Sequence, residues 1–456
     1  MRSLTSKMFL VAIGTFLIAI SAINARATYG AKISVDEPQY LLTALSIAED
    51  QDLDISDELE EQRYLPFHEI LLNQQTIDLT DDGQRLSPHD PLLPILLAIP
   101  MGLGGWAAAK IMLAVIAAIT AAMTLWVVVK RFHVSENIAA CVVGACFMAP
   151  PLVSYGTQIY PEMPAALCVI IGIGIITSPV ISRSGLIGLI LVINSLPWLS
   201  VKYVPVAAAV AAFALIKIFK KNKQESVALG IFLAVSALLY LIAHQKIYGG
   251  WTVYASGDHF VDGEFQVVGN NPNILGRTRR LSGLLLDKEF GLIPWAPAYF
   301  ALIPACIWLL KSKVKDSLIL LSVVGVGWAV ATWVALTMHG WWWPGRQTVV
   351  VLPAAIVVMC LFAEKSKYWF RFIVLGGAAG IVGWVWLAIE SSTDNRTLVV
   401  DFYETTYPIY RVLSFVMPDF TNFNNSALLL NLAWLGLIAV FSFPETLRKQ
   451  KDRLLR

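Results

Sequence analysis

Charged residues are scarce in this sequence, and their scarcity excludes most soluble folds. Asp, Glu, Lys and Arg make up 14% of the 456 residues and hydrophobic residues 57%, whereas a soluble domain carries about 25% charged residues. The mean hydropathy is +0.65. That much apolar surface cannot be hidden in one water-soluble core, so we expect lipid to be the solvent. A net charge of only +2 also argues against nucleic acid as a partner.

Cysteine pairs of the kind that build disulfide frameworks or thiol-ligated metal sites are missing too. The sequence contains no C-x-x-C pair, and each of its five cysteines lies inside an apolar run: Cys141, Cys146, Cys168, Cys306 and Cys360. We interpret them as small buried hydrophobic residues.

Apolar runs of membrane-spanning length recur along the whole chain. The first follows a basic start, Met1 to Lys7, and Ala25-Arg26-Ala27 leaves a cleaved signal peptide as its alternative interpretation. The pattern predicts an all-α polytopic bundle of about twelve spans in one domain, residues 1–456, in the inner (plasma) membrane. The predicted spans lie near residues 8–23, 107–129, 137–155, 163–182, 185–200, 203–217, 226–244, 291–310, 317–338, 347–363, 372–390 and 427–443.

The segments that connect these runs alternate in charge. Three of the connections are long and acidic or aromatic: 29–106 with a re-entrant helix inside it, 245–290 and 391–426. Basic segments occupy every second connection, as the positive-inside rule requires of cytoplasmic loops: Lys130-Arg131, Arg183, 217–223, 311–315, 365–371 and the tail 448–456. We therefore predict cytoplasmic N- and C-termini and long loops on the periplasmic or external face.

The first external loop opens with the adjacent carboxylates of Asp36 and Glu37. Pro38 and the apolar spacing from Tyr40 onward predict an amphipathic helix lying at the membrane surface, with the carboxylates at its N-terminus. A simple helix cap is the alternative role for Asp36. His89 then precedes an apolar piece, Leu92 to Pro100, that is too short to span and predicts a re-entrant helix.

Later external ends carry further polar residues. Glu162 follows Tyr160-Pro161 at the membrane edge, where an ionisable group is either functional or an ordinary loop glutamate. Lys202 lies among apolar residues, and it either snorkels to headgroups or holds a phosphate. Residues 339–346 combine His339, three tryptophans and Arg346. An aromatic belt explains the tryptophans, and an arginine beside them suits a phosphate.

Together these motifs resemble the GT-C glycosyltransferases, which include protein O-mannosyltransferases and lipid A aminoarabinose transferases. They are most similar to a bacterial group of uncharacterised GT-C-like membrane proteins, over roughly residues 8–365. This chain differs from that group at Gln39 and in the His89-Asp90-Pro91-Leu92 run. The matching motifs are Asp36-Glu37-Pro38-Gln39-Tyr40-Leu41, Ser87-Pro88-His89, Tyr160-Pro161-Glu162, Leu196-Pro197-Trp198 with Lys202-Tyr203, Asp287-Lys288-Glu289-Phe290-Gly291 and Trp343-Pro344-Gly345-Arg346.

The resemblance implies transfer of a sugar from a polyprenyl-phosphate donor to a lipid, glycan or protein acceptor on the external face of the cell envelope. Asp36 would be the catalytic base, with Glu37 as second choice, and one base with direct attack implies inversion at the anomeric carbon. A divalent cation on Asp36 and Glu162 stays open. Substrate contacts would come from Glu162, Lys202, Arg346, His89, Tyr40, His339 and Trp343.

Two other classes of protein are open from the sequence. A polytopic transporter or lipid flippase would place charged or broken-helix sites at mid-membrane in paired halves, and neither pattern is visible. A non-catalytic membrane scaffold of the same shape is the second alternative. Within the enzyme class, a lipid-linked polymer ligase is the neighbouring possibility.

Overall fold

The computed structural model describes residues 2–72, 75–78, 83–253 and 273–443, and the predicted basic tail 448–456 lies outside them. Most of this part of the chain is helical, and it contains almost no β-strand. Its α-helices are α1 (Arg2–Ile20), α2 (Glu37–Glu49), α3 (Ser56–Glu60), α4 (Leu92–Phe132), α5 (Glu136–Phe147), α6 (Glu162–Ile176), α7 (Arg183–Leu199), α8 (Val204–Phe219), α9 (Lys223–Tyr248), α10 (Ile274–Thr278), α11 (Arg280–Leu286), α12 (Leu292–Trp295), α13 (Leu302–Lys311), α14 (Ser317–Ala329), α15 (Leu352–Lys365), α16 (Lys367–Ser392), α17 (Pro408–Val416) and α18 (Asn425–Ser442).

Among the described residues, each of the roughly twelve predicted spans overlaps an apolar helical segment. Within the described residues, eight are long and apolar enough to cross a membrane, and four shorter ones begin at Glu136, Glu162, Arg183 and Pro297. Large apolar side chains remain exposed on their outer faces, such as Leu239 at 58% and Leu429 at 68%. Lipid is the solvent that such faces require. The chain is therefore a multi-pass membrane protein with the predicted all-α architecture.

A break at two glycines divides α4 into two parts. Gly104 and Gly105 leave helical geometry, and Gly105 has a φ of +63°, which glycine adopts without the strain that a Cβ would cause. The helix before the break, residues 92–103, contains the short apolar piece for which we predicted a re-entrant helix. The helix after the break, residues 106–132, has the length of a full span.

The loop that follows α1, predicted to be external, is folded onto the end of the bundle. Helix α2 begins at Glu37 as predicted, but its residues from Glu37 to Ser46 are all buried, mostly against α4. It is therefore more enclosed than the predicted helix lying at the surface. The short strands β1 (Ile77–Asp78) and β2 (Arg85–Leu86) pair antiparallel at the rim of the loop.

The basic connections lie at the opposite end of the bundle from this loop. Lys217 at the end of α8 donates to the backbone carbonyls of Ile176 and Ser178 at the end of α6. Arg131 at the end of α4 donates from Nε to the carbonyl of Gly174 at 2.8 Å. The beginnings of α6 and α8 therefore lie at the other end, beside the loop between α1 and α4.

Candidate active site

Four charged side chains from distant parts of the sequence meet at that end. Arg346 donates from Nε to Oε1 of Glu162 at 3.0 Å and from Nη1 to Oδ2 of Asp36 at 3.1 Å. Lys202 donates from Nζ to the same Oε1 of Glu162 at 2.8 Å and reaches Oε1 of Gln347 at 3.4 Å. Two anions and two cations thus form one connected network, which satisfies the requirement that buried charges be paired.

Helix starts and 3₁₀ turns position these four groups. Asp36 is the N-cap residue of α2, and Glu162 is the first residue of α6. Lys202 lies in the 3₁₀ turn Val201–Tyr203 that precedes α8, and Arg346 begins the 3₁₀ turn Arg346–Val351 that leads into α15. Polar groups can gather there because segment ends are where the membrane-crossing helices meet water.

The Asp36 side chain does not cap its helix. It makes no hydrogen bond to the backbone N–H groups of α2, and its Oδ2 accepts from Arg346 instead. Its side chain is 14% exposed, whereas that of Glu162 is 1% exposed. Asp36 is therefore the carboxylate of this network that solvent or a substrate reaches.

Arg346 is held between two aromatic faces. Its guanidinium carbon lies 3.8 Å from the ring centroid of Tyr160 and 4.9 Å from that of Trp342. Such cation–π contacts favour a flat guanidinium whose edge makes the hydrogen bonds. Nη2 has no hydrogen-bond partner among the described residues, so one arm of the guanidinium can still donate to a ligand.

Gly345 makes the turn that brings Arg346 into the site. Its φ is +80°, and a Cβ at this position would lie 2.7 Å from Leu292 and 3.0 Å from Pro151. Any other residue would be strained by the backbone and crowded by these neighbours. The glycine of the Trp-Pro-Gly-Arg motif therefore has a mechanical role in placing the arginine.

Trp343, which we predicted as a substrate contact, belongs to the apolar core. Its side chain is fully buried and packs against Trp295 at 4.9 Å and Trp384 at 5.1 Å between ring centroids. Its backbone carbonyl accepts from the hydroxyl of Tyr155 at 2.6 Å. The ring beside Arg346 is that of the neighbouring Trp342, not that of Trp343.

Glu37 faces away from Asp36 into the protein. Its Oε1 accepts from the backbone N–H of Ile159 at 2.6 Å and its Oε2 from that of Ser34 at 2.8 Å. Desolvation by burial raises the pKa of this carboxyl, while the nearby Lys110 and these bonds oppose the rise. Glu37 therefore links two loops through their backbone N–H groups. Because both of its oxygens are engaged in this way, Asp36 is the better placed of the two candidate bases.

His89 and Tyr40 form a wall beside the charged network. The rings lie 4.3 Å apart, and Tyr40 in turn lies 6.3 Å from Tyr160, which stacks on Arg346. Nδ1 of His89 is 2.8 Å from the Ser87 hydroxyl. Desolvation lowers the pKa of His89 to about 4, although the Asp36 carboxylate acts in the opposite direction. His89 is therefore a neutral imidazole near neutral pH.

His339 lies in a different polar cluster. Its Nε2 is 3.5 Å from Oδ2 of Asp287, and its ring meets that of Phe290 edge to face at 5.0 Å. Asp287 also accepts from the backbone N–H groups of Glu289 and Phe420. The structure thus places His339 with the Asp287-Lys288-Glu289 motif and not against the four charged groups.

The predicted ligands of a divalent cation, Asp36 and Glu162, are separated by the Arg346 guanidinium, to which both are hydrogen-bonded. Lys202 adds a second positive charge to Glu162. A third cation at this point would be repelled by both. The arrangement does not fit a metal held by this pair.

An apolar groove begins directly beside Lys202. It has a volume of about 560 Å³, lies between α7, α8 and α9, and includes Trp198, Val201, Val204 and Tyr240 in its lining. A second groove of about 390 Å³ lies on the other side of Trp198 and runs along Leu92 and Ile95 of the re-entrant helix. Charged groups and long apolar grooves are thus neighbours at one membrane face.

Sequence reasoning missed Tyr160, Trp342 and Gln347 as parts of this site. Tyr160 and Trp342 lie within motifs that the sequence singled out, but nothing local shows that their rings face Arg346. The apolar lining of the groove is indistinguishable in sequence from the rest of the spans. Contacts between distant segments decide all of these positions.

The bundle, with its charged site at one end, has the fold of a solved membrane protein. The crystal structure of ArnT from Cupriavidus metallidurans bound to undecaprenyl phosphate is similar to 96% of this chain and 78% of the ArnT chain, with a TM-score of 0.54 and 12% sequence identity. At this identity the similarity establishes the fold alone. No family model matches the sequence, and no curated protein matches it significantly.

Proposed function

We propose that this protein is a membrane glycosyltransferase that moves a sugar from a polyprenyl-phosphate donor to a lipid, glycan or protein acceptor on the non-cytoplasmic face. The observation that carries the proposal is that Val201 lines the apolar groove and directly precedes Lys202, which Glu162 links to Arg346. A ligand with an anionic head and a long apolar tail matches that combination. The ArnT structure, which has the same fold, contains such a lipid, undecaprenyl phosphate.

Asp36 is the proposed general base. Its carboxylate is the more exposed of the two in the network, and its Oδ1 makes no hydrogen bond among the described residues. Deprotonation of an acceptor hydroxyl as it attacks the anomeric carbon requires a carboxylate that is both ionised and reachable.

Arg346 and Lys202 are the proposed phosphate ligands. The departing polyprenyl phosphate gains negative charge as the bond to the sugar breaks, and preorganised cations stabilise that charge best where water is excluded. Glu162 holds both cations through one oxygen, so it sets their positions rather than reacting itself. A single base with direct attack gives inversion at the anomeric carbon.

The test is a transfer assay with the purified protein in lipid nanodiscs. Radiolabelled polyprenyl-phosphate sugars serve as donors and a membrane extract as the source of acceptor. We expect transfer by the wild type and a loss of about 100-fold or more for Asp36→Asn. Asp57→Asn is the matched control because Asp57 is an exposed carboxylate in the same loop.

Two results would contradict the proposal. Wild-type transfer by Asp36→Asn at equal expression would remove Asp36 as the base. Absence of both transfer and undecaprenyl phosphate binding by the wild type would remove the glycosyltransferase function, and paired uptake measurements in vesicles would then test a transporter.

A further inference from the structure

Asp90 connects three segments of the protein through one buried carboxylate. Its Oδ1 accepts from the hydroxyl of Tyr240 at 2.9 Å and lies 3.0 Å from Nε2 of His244. Its Oδ2 accepts from the backbone N–H of Val201 at 3.0 Å. Asp90 is 4% exposed and His244 is fully buried, so these bonds are shielded from water.

The partners of Asp90 on α9 lie on one face of that helix. Tyr240, His244 and Tyr248 are spaced four residues apart, which places them in a row along the helix. The hydroxyl of Tyr248 donates to the backbone carbonyl of His89 at 3.0 Å. This row of polar side chains in an apolar helix therefore hydrogen-bonds to His89 and Asp90, directly before the helix that begins at Leu92.

Hydrogen-bond counting shows how the buried carboxylate is tolerated. Nδ1 of His244 lies 2.9 Å from the backbone carbonyl of Tyr240, which can only accept, so Nδ1 carries a proton. Nε2 faces Oδ1 of Asp90, and that contact needs a second proton on one of the two atoms. The Asp90–His244 pair is therefore neutral overall, and it stabilises this region through its hydrogen bonds rather than through a net charge.

The hydrogen bond from the Val201 N–H connects Asp90 to the charged site. Val201 directly precedes Lys202, whose Nζ holds Glu162 and Gln347. The 3₁₀ turn that carries Lys202 is closed on its other side by the bond from Tyr203 N–H to Ser200 carbonyl at 2.9 Å. Asp90 thus fixes the backbone from which the lysine projects.

The other carboxylate oxygen of Asp90, Oδ1, is hydrogen-bonded to a residue that lines the apolar groove. Tyr240 lines that groove, and Trp198 packs edge to face on Tyr240 at 5.1 Å. A single carboxylate therefore touches both the groove wall and the lysine turn.

We propose that Asp90 is a positioning residue of the donor site. Through its hydrogen bonds to Val201, Tyr240 and His244, Asp90 connects the turn that carries Lys202 to the wall of the apolar groove. The proposal rests on the proposed function, since it concerns the same site. It assigns Asp90 no contact with the reacting atoms. It requires that Asp90 act through Lys202 and through hydrogen bonds.

The test compares binding of undecaprenyl phosphate to wild type, Asp90→Asn, Asp90→Ala, Lys202→Ala and the double variant Asp90→Ala with Lys202→Ala, each in nanodiscs and corrected for the folded fraction. An asparagine oxygen can accept from Val201 while its two amide N–H groups donate to a neutral His244 and to the hydroxyl oxygen of Tyr240, so Asp90→Asn should bind within about threefold of wild type. Asp90→Ala should bind about tenfold more weakly. The double variant should bind no more weakly than Lys202→Ala alone.

Each contrary result has its own meaning. Wild-type binding by Asp90→Ala, equal damage by Asp90→Asn and Asp90→Ala, or additive losses in the double variant would each overturn the positioning role. If Asp90→Ala does not fold, Asp90→Ser replaces it, because a serine hydroxyl is too short to bridge Val201 and His244. Failure of the wild type itself to bind undecaprenyl phosphate would refute the proposed function, and the role of Asp90 would fall with it.

Discussion

Arg346 donates a hydrogen bond to Asp36 at 3.1 Å, although 310 positions of sequence separate the two residues. The proposed base and the proposed phosphate ligand therefore hold each other before any substrate binds. Within the described part of the chain, Nη2 of Arg346 is free to donate to an anionic donor while Nη1 still holds Asp36. The arginine can thus contact the proposed base and the donor phosphate together.

Arg346→Lys should lower kcat/KM by about 10- to 100-fold, although the charge is kept. A lysine ammonium cannot place separate N–H groups on Asp36 and Glu162 as the planar guanidinium does, and each charge-assisted hydrogen bond contributes about 1.5–3 kcal/mol. Steady-state kinetics with varied donor measures the effect. The matched control is Arg63→Lys, since Arg63 pairs with Glu49 at the surface.

Arg346→Ala should also weaken donor use more than Lys202→Ala. Arg346 contacts both carboxylates, whereas Lys202 contacts Glu162 alone among the carboxylates. Small and equal effects would show that neither residue binds the phosphate and that Lys202 merely extends toward headgroups.

Glu37→Gln should destabilise the protein without removing catalysis. One of the two backbone N–H groups that Glu37 accepts from would face an amide N–H instead, at a cost of about 1–3 kcal/mol. We expect a lower Tm but, per folded molecule, a rate near that of the wild type. A rate loss as large as that of Asp36→Asn at an unchanged Tm would instead make Glu37 the base.

The two adjacent tryptophans should respond differently to substitution. Trp343→Ala removes a fully buried ring from the aromatic core and should cost about 3–5 kcal/mol of stability. Trp342→Leu keeps an apolar side chain but removes the ring over Arg346, so it should raise the KM for the donor by about threefold at an almost unchanged Tm. The opposite pattern would mean that Trp343 is the residue that faces the substrate.

Glu58 should make the loop between α1 and α4 less stable at alkaline pH. Its side chain is buried, and desolvation raises its pKa to about 8 from the ordinary 4.5. Because the folded form holds its proton more tightly, this stabilisation is complete below about pH 4.5 and disappears as the pH rises through about 8. Tm measured across that interval should fall for the wild type, and Glu58→Gln should lose that part of the fall. The same slope in both proteins would contradict this assignment; the exposed Glu60→Gln is the control.

The sequence by itself determined the class of the protein and the positions of its helices. All twelve predicted spans coincide with apolar helical segments, because a run of apolar residues long enough to cross a bilayer is a local property that needs no knowledge of neighbours. The same holds for the helix that starts at Glu37 and for the short helix that follows His89. The residue types at the charged site were visible as well, since ionisable groups are rare in so apolar a chain.

Only the tertiary structure decided which of those residues share a site. Asp36 and Glu37 are adjacent in sequence, yet one faces Arg346 and the other the backbone of Ile159, because successive residues at a helix start point in different directions. Trp342 and Trp343 divide in the same way between the site and the core. The Asp90–His244 contact joins residues 154 positions apart. Hydropathy follows the chain locally, whereas the direction of a side chain at the end of a helix is set by whatever distant segment packs against it.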